Sequence, residues 1–104
     1  MQTLPPVSHN ALVVTARWVE QGALRYTPAG LPAVDLTLEH EGTTTEAGMA
    51  RRVTFKLKAV ALGPVVRQVQ VVAADSLAHW SGFLAPTRNG KGVVMHVTQI
   101  EPAV

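Results

Sequence analysis

The chain contains no cysteine. Disulfides, thiolate-held zinc, iron–sulfur clusters and a cysteine nucleophile are therefore excluded, and the absence fits a reducing compartment. Aromatic residues are scarce: two Trp, one Tyr and two Phe in 104 residues. No apolar run approaches the roughly 18 residues a membrane span needs. The N-terminus lacks a basic stretch leading into an apolar core, so no signal peptide is visible. A cytoplasmic protein without a membrane partner is expected. Charge of one sign is also lacking, since nine basic and seven acidic residues leave a net charge of +2. That total is too small to diagnose a polyanionic partner. The length fits one domain.

The placement of the charges says more than their sum. Arg51, Arg52, Lys56 and Lys58 are four of the nine basic residues and lie within eight positions. Asp35, Glu39, Glu41 and Glu46 precede them. The chain is thus polarised along its length. Its richness in Val and Thr favours strands.

Residues 1–9, with Pro5-Pro6 and no periodicity, read as a flexible extension before a single domain over 10–104. Leu12, Val14, Ala16 and Trp18 then alternate with Val13, Thr15, Arg17 and Val19, which predicts a first strand. Gln21-Gly22 breaks or bulges it. Leu24-Arg25-Tyr26 resumes, and Thr27-Pro28-Ala29-Gly30 is a turn signal. Val34, Leu36 and Leu38 alternate with Asp35, Thr37 and Glu39 in a second strand. Glu41 to Ala50 reads as a mobile hairpin loop. Arg51 to Leu62 is the third strand, with Val53, Phe55 and Leu57 on one face and Arg52, Thr54, Lys56 and Lys58 on the other.

Gly63-Pro64 stops that strand. Pro64 to Val72 reads as a short helix, against which the Val-rich run Val69, Val71, Val72 argues. Asp75 to Ala85 is a fourth strand. Asn89-Gly90 signals a tight two-residue hairpin turn, and Val93 to Ile100 is the fifth strand. Five strands with a helix between the third and fourth follow the order of the OB fold, an all-β, five-stranded Greek-key barrel. Its second and third strands and two of its loops form the usual oligonucleotide surface.

With the strands in that order, short motifs acquire a likeness. Leu24-Arg25-Tyr26-Thr27-Pro28-Ala29-Gly30 and Val34-Asp35-Leu36-Thr37-Leu38-Glu39-His40 resemble the start of bacterial single-stranded-DNA-binding proteins. Asn10-x-Leu12-Val13, Leu38-Glu39-His40, Glu46-Ala47-Gly48, Gly82-Phe83, Arg88-Asn89-Gly90 and Gln99-Ile100-Glu101 are similar to the PriB family, primosomal replication protein N. The likeness covers about residues 10–101. It implies a homodimer that binds single-stranded DNA and helps reassemble stalled replication forks. The PriA helicase and a DnaT-type protein would be its partners. Ending at Val104 also fits the tail-less PriB pattern rather than the tailed coating proteins.

Binding a single strand without sequence preference needs cations for phosphates and flat faces for bases. Arg25, Arg51, Arg52, Lys56, Lys58, Arg88 and Lys91 are the candidate cations. Five to seven phosphate contacts at about 0.7 each imply a salt slope on the order of −4 to −5. The rival reading of the third strand is cross-strand pairing with Asp35 and Glu39. PriB-like proteins place aromatics in the third strand and just before it. Here those positions are Thr54, which can only hydrogen-bond, and Met49, which can pack on a base with less area. The basic position after the second strand is Glu41. Tyr26 divides evenly between stacking and framework packing. Phe55 is read as core, as are Trp18 and Trp80. Phe83 faces outward as a dimer contact or a base platform.

No enzyme chemistry is expected. Ser8, Ser76 and Ser81 lie in no G-x-S-x-G sequence. His9, His40, His79 and His96 have no zinc-binding spacing, and neither a P-loop nor a G-x-G-x-x-G occurs. No metal or cofactor is called for. The leading expectation is a DNA-binding accessory of replication restart. An OB-fold adaptor that docks proteins with weak or no DNA binding, and a tail-less coating paralogue, stand as alternatives.

Overall fold

The first strand, β1 (Leu12–Gln21), bends so that its two halves serve different neighbours. Leu12 to Ala16 pair with β5 (Ala78–Pro86), and Arg17 to Gln21 pair with β3 (Pro32–Glu46). The bend sits at a bulge between Trp18 and Glu20, because an unpaired extra residue lets the strand turn without losing its ladder, while the break expected at Gln21-Gly22 is where β1 ends. The remaining strands are β2 (Arg25–Tyr26), β4 (Met49–Leu62) and β6 (Val93–Pro102). This computed structural model describes residues 8–103. The extension expected over residues 1–9 lies, apart from Ser8 and His9, outside the described residues.

The hydrogen-bonded order β1-β5-β6-β4-β3 closes through the β1–β3 pairing into a five-stranded barrel. Two-residue β2 is an appendage on β3, so the expected third strand is β4. Even positions of β3 (Val34, Leu36, Leu38) and odd positions of β4 (Ala59, Ala61) point inward and join Ala16, Ala78, Trp80, Met95, Val97 and Ile100 in the core. Trp80 is fully buried, and its indole N–H donates to the Ala16 carbonyl at 2.9 Å. Trp18 packs on the core from its edge and donates to the Val72 carbonyl.

The expected helix over Pro64–Val72 is shorter than that span. A 3-10 turn over Gly63–Val65 leads into α1, Val66–Val71. Valine is a poor helix former because its χ1 is crowded by the preceding turn. Packing compensates: Val65, Val66 and Val69 are buried against the barrel. Strand β5 begins at Ala78 rather than Asp75, which holds a left-handed φ of 65° in the preceding turn.

Two turns correct the expectations. The segment Glu41–Ala50 is not a loop. β3 and β4 stay in register without a break from Ala33↔Leu62 to Glu46↔Met49. The β-branched Thr43, Thr44 and Thr45 suit the pleat. The reversal is made by Ala47 and Gly48 alone, both at positive φ (52° and 77°), the signature of a two-residue turn matched to strand twist. Conversely, Asn89-Gly90 does not make a two-residue turn. It lies within a loop from Thr87 to Gly92, where the Asn89 Oδ1 accepts from the Lys91 N–H at 2.9 Å. The Asn side chain thereby closes a local turn of its own.

Candidate nucleic-acid interface

Beyond Glu39 on β3 and before Lys56 on β4, no third strand among the described residues flanks the ribbon they form. This part projects from the barrel as an arm with both faces wet. Alternation puts Arg52 and Thr54 on its outer face, and Lys56 and Lys58 on the continuation of that face over the barrel. Across the ladder they oppose Thr43, Glu41, Glu39 and Thr37. Arg51 and Met49 leave the opposite face, so the basic cluster of the sequence is split in space.

The rival pairing of Lys56 and Lys58 with Asp35 and Glu39 does not form. Glu39 accepts from Arg17 of β1 at 2.9 Å. Asp35 holds Arg25 in a two-pronged contact, 3.0 Å from Nε and 3.0 Å from Nη2. Those hydrogen bonds, and then the carboxylate charge, raise the Arg25 pKa above its ordinary value; Glu39 does the same for Arg17. Arg51 pairs with Glu46 at 2.6 Å. Among the described residues, Arg52, Lys56, Lys58, Arg88 and Lys91 make no ion pair. Lys58 donates to the Thr37 hydroxyl at 3.0 Å, which leans its stem on the sheet and leaves the ammonium otherwise free.

The aromatic expectations divide. Phe55 is 40 % exposed rather than core, because the arm has left the barrel by that point. Its ring lies 5.0 Å from that of His40, whose Nδ1 donates to the Thr15 carbonyl. Tyr26 is exposed, but it lines a trough with Leu24, Leu31, Pro64 and Arg67 beside α1, away from the basic row. Phe83 faces outward, as expected, and stacks on His96 at 5.0 Å with the rings 12° apart.

A second trough runs between the loops at one side of this face. It is lined by Arg25, Thr27, Asp35, Val60, Leu62, Pro86, Thr87, Arg88, Val94 and His96, and measures about 730 Å³. Its contribution from β6 and from Val60 carried no sequence signal, because Val60 reads as one more barrel residue. Yet Val60, though buried, stands outside the core cluster and floors this trough instead. Among the described residues no group of His, Asp and Glu is placed to hold a metal. No helix there is long and apolar enough to cross a membrane.

A closed barrel plugged by one short helix, with a basic outer strand running into an arm, defines an OB-fold protein of the single-strand-binding class. A family model described as another single-strand binding protein family matches residues 10–99. The single-stranded DNA binding protein of Thermus aquaticus shares the fold, with a TM-score of 0.69 at 23% identity over 92% of this chain and 50% of that one. Within the class, the replication restart protein PriB of Bordetella pertussis is 43% identical over 91 residues, 86% of this chain and 85% of that protein. The PriB structure from Ralstonia solanacearum superposes with a TM-score of 0.83 at 35% identity, covering 91% of this chain and 98% of that one. The chain belongs to the PriB family, relatives of the bacterial single-strand-binding proteins.

Proposed function

We propose that this protein binds single-stranded DNA, without catalysis, as an accessory of replication restart. The observation that carries the reading is the row Arg52, Lys56 and Lys58 on the outer face of β4, free of carboxylate partners while neighbouring arginines are all paired. Arg88 and Lys91 of the 87–92 loop extend it. These five cations are enough to track a phosphate backbone, and Thr54 adds a hydroxyl between them. Arg25 and Arg51 contribute less because their charge is already neutralised. At about 0.7 per phosphate, five contacts give a salt slope near −3.5, shallower than seven would.

A homodimer and a PriA-type helicase complete the proposal, with a DnaT-type protein as a further partner. The dimer draws support from β1. Its stretch Leu12–Ala16 pairs with β5 on one edge and, among the described residues, with no strand on the other, and Val13 is exposed beside it. An open strand edge is a template for a second chain. The protein-adaptor reading also has an observation in its favour: Glu39 and Glu41 line the same shallow trough as Arg52 and Lys56 and would repel phosphates there.

Titration of fluorescent oligo(dT) across a salt series, with and without a PriA-type helicase, separates the two. Binding by the protein alone with a slope near −3.5 is the expected result. Binding only in the presence of the helicase would replace it with the adaptor. Sedimentation in the same buffers reports the dimer.

A further inference from the structure

The basic row leaves half of the problem unsolved. It presents Arg52, Thr54, Lys56 and Lys58, none with an aromatic ring, and Phe55, which lines the trough beside them, packs against the His40 ring at 5.0 Å. Single-strand binders add stacking to phosphate contacts. On the outer face of the barrel, Phe83 and His96 stand in register across β5 and β6 with their rings stacked. They lie over the barrel rather than on the arm.

Their geometry makes them one unit. The ladder places Val60 of β4 opposite His96, and His96 opposite Phe83. A Cβ at position 82 would overlap the His96 carbonyl, so Gly82 lets β5 lie close against β6 at this point. His96 lines the trough between the loops, while Phe83 is stacked behind it. The imidazole is thus held flat from one side and faces the trough with the other. Val60, Leu62 and Val94 give the trough an apolar floor. Its rims are Arg88 of the 87–92 loop and Arg25 of β2. Asp35 occupies Nε and Nη2 of Arg25, which leaves Nη1 to donate.

We propose that this trough is a nucleobase subsite, in which one unpaired base of a DNA strand stacks on His96 backed by Phe83 while Arg25 and Arg88 hold the phosphates on either side. The subsite rests on the single-strand-binding reading above and adds to it the place where base contact is made. Its floor carries no hydrogen-bonding side chain, so it accepts any base. The strand would run from the arm, where it is held by phosphate contacts alone, to the barrel, where one base is held by its face.

The test compares two ligands that share phosphates and differ in bases: oligo(dT) and an abasic oligonucleotide of equal length. The wild-type chain should bind the abasic strand at least about five-fold more weakly, since a stacked base contributes on the order of 1–3 kcal/mol. His96→Ala should bring the ratio toward one, as should Phe83→Leu, which keeps an apolar side chain on the sheet. Lys56→Ala with Lys58→Ala should weaken both ligands alike. Irradiation of the wild-type chain with 5-iodo-deoxyuridine in oligo(dT) should place the adduct on His96 or Phe83. An adduct confined to Tyr26 or Phe55, or a ratio that survives both substitutions, overturns the subsite. Equal, salt-steep binding of both ligands by the wild type overturns the subsite and leaves DNA binding standing. Failure of the wild type to bind either ligand overturns both.

Discussion

The arginines of β1, β2 and the arm's inner face, and the cations of its outer face and last loop, are the same chemistry in opposite situations. Arg17, Arg25 and Arg51 each hold a carboxylate within hydrogen-bond distance. Arg52, Lys56, Lys58, Arg88 and Lys91 hold none among the described residues. A paired arginine has spent its field; its remaining N–H groups can still donate, but its charge no longer attracts a distant phosphate. An unpaired row does attract one, and on binding it releases the cations condensed on the DNA. The protein's net charge of +2 hides this division, because three ion-paired arginines sit beside a row of cations that make no ion pair among the described residues. A surface made of pairs is a scaffold, whereas a surface of like charges left apart costs something to keep and points to a ligand.

Removing the row should have the largest effect. Lys56→Ala with Lys58→Ala takes away two phosphate contacts, so the salt slope should fall by about 1.4 and affinity at 0.1 M salt by about twenty-fold. Fluorescence anisotropy with oligo(dT) reads both. An unchanged slope would mean that the free lysines are merely solvated, and the contrast would carry no functional weight.

Turning a paired cation into a free one should do the reverse on a smaller scale. Asp35→Asn removes the charge that neutralises Arg25. Affinity for oligo(dT) should rise about five-fold and the slope steepen by about 0.7, one phosphate's worth. The pair is exposed, so the thermal midpoint should move little, in keeping with about 1 kcal/mol or less for a surface ion pair. A loss of affinity would show that Asp35 is needed to aim Arg25 rather than restrain it.

How much of this was legible beforehand follows from the range over which each signal acts. Alternation is local, so the outer row Arg52, Lys56 and Lys58 and the inner Val34, Leu36 and Leu38 could be read residue by residue. Strand count and order then gave the barrel. Turns were less legible, because the usual signal and the actual turn disagreed. Asn89-Gly90 has the favoured residues but sits in a loop closed by its own side chain. Ala47-Gly48 makes the two-residue turn although alanine is a poor left-handed residue. The long ladder behind it fixes the register and outweighs that local cost. Phe55 was misplaced for a related reason: alternation tells which face a side chain takes, but not where along a strand the barrel stops. The trough was not legible at all. Arg25, Val60, Arg88 and His96 come from four separate stretches of chain, and only closure of β6 onto β4 brings them together.

The smallest effect should come from Arg51, and it decides between sequence and space as the unit of recognition. In the sequence Arg51 belongs to the same cluster as Arg52, and a clustered-charge account would assign both to DNA. In the structure the two leave opposite faces of the arm, and Arg51 is tied to Glu46 across the ladder, with both side chains about two-thirds exposed. Arg51→Ala should therefore change oligo(dT) affinity less than about two-fold and leave the slope unaltered, since no phosphate contact is lost. Its effect on stability should stay below about 1 kcal/mol, as the pair is exposed to water. Arg52→Ala, one position away, should lower the slope by about 0.7. If the two substitutions weaken binding equally, the strand wraps both faces of the arm, and the distinction between paired and unpaired cations gives way to one of total charge at the arm. If only Arg52 matters, a single peptide unit of the β-strand separates a ligand contact from a framework pair.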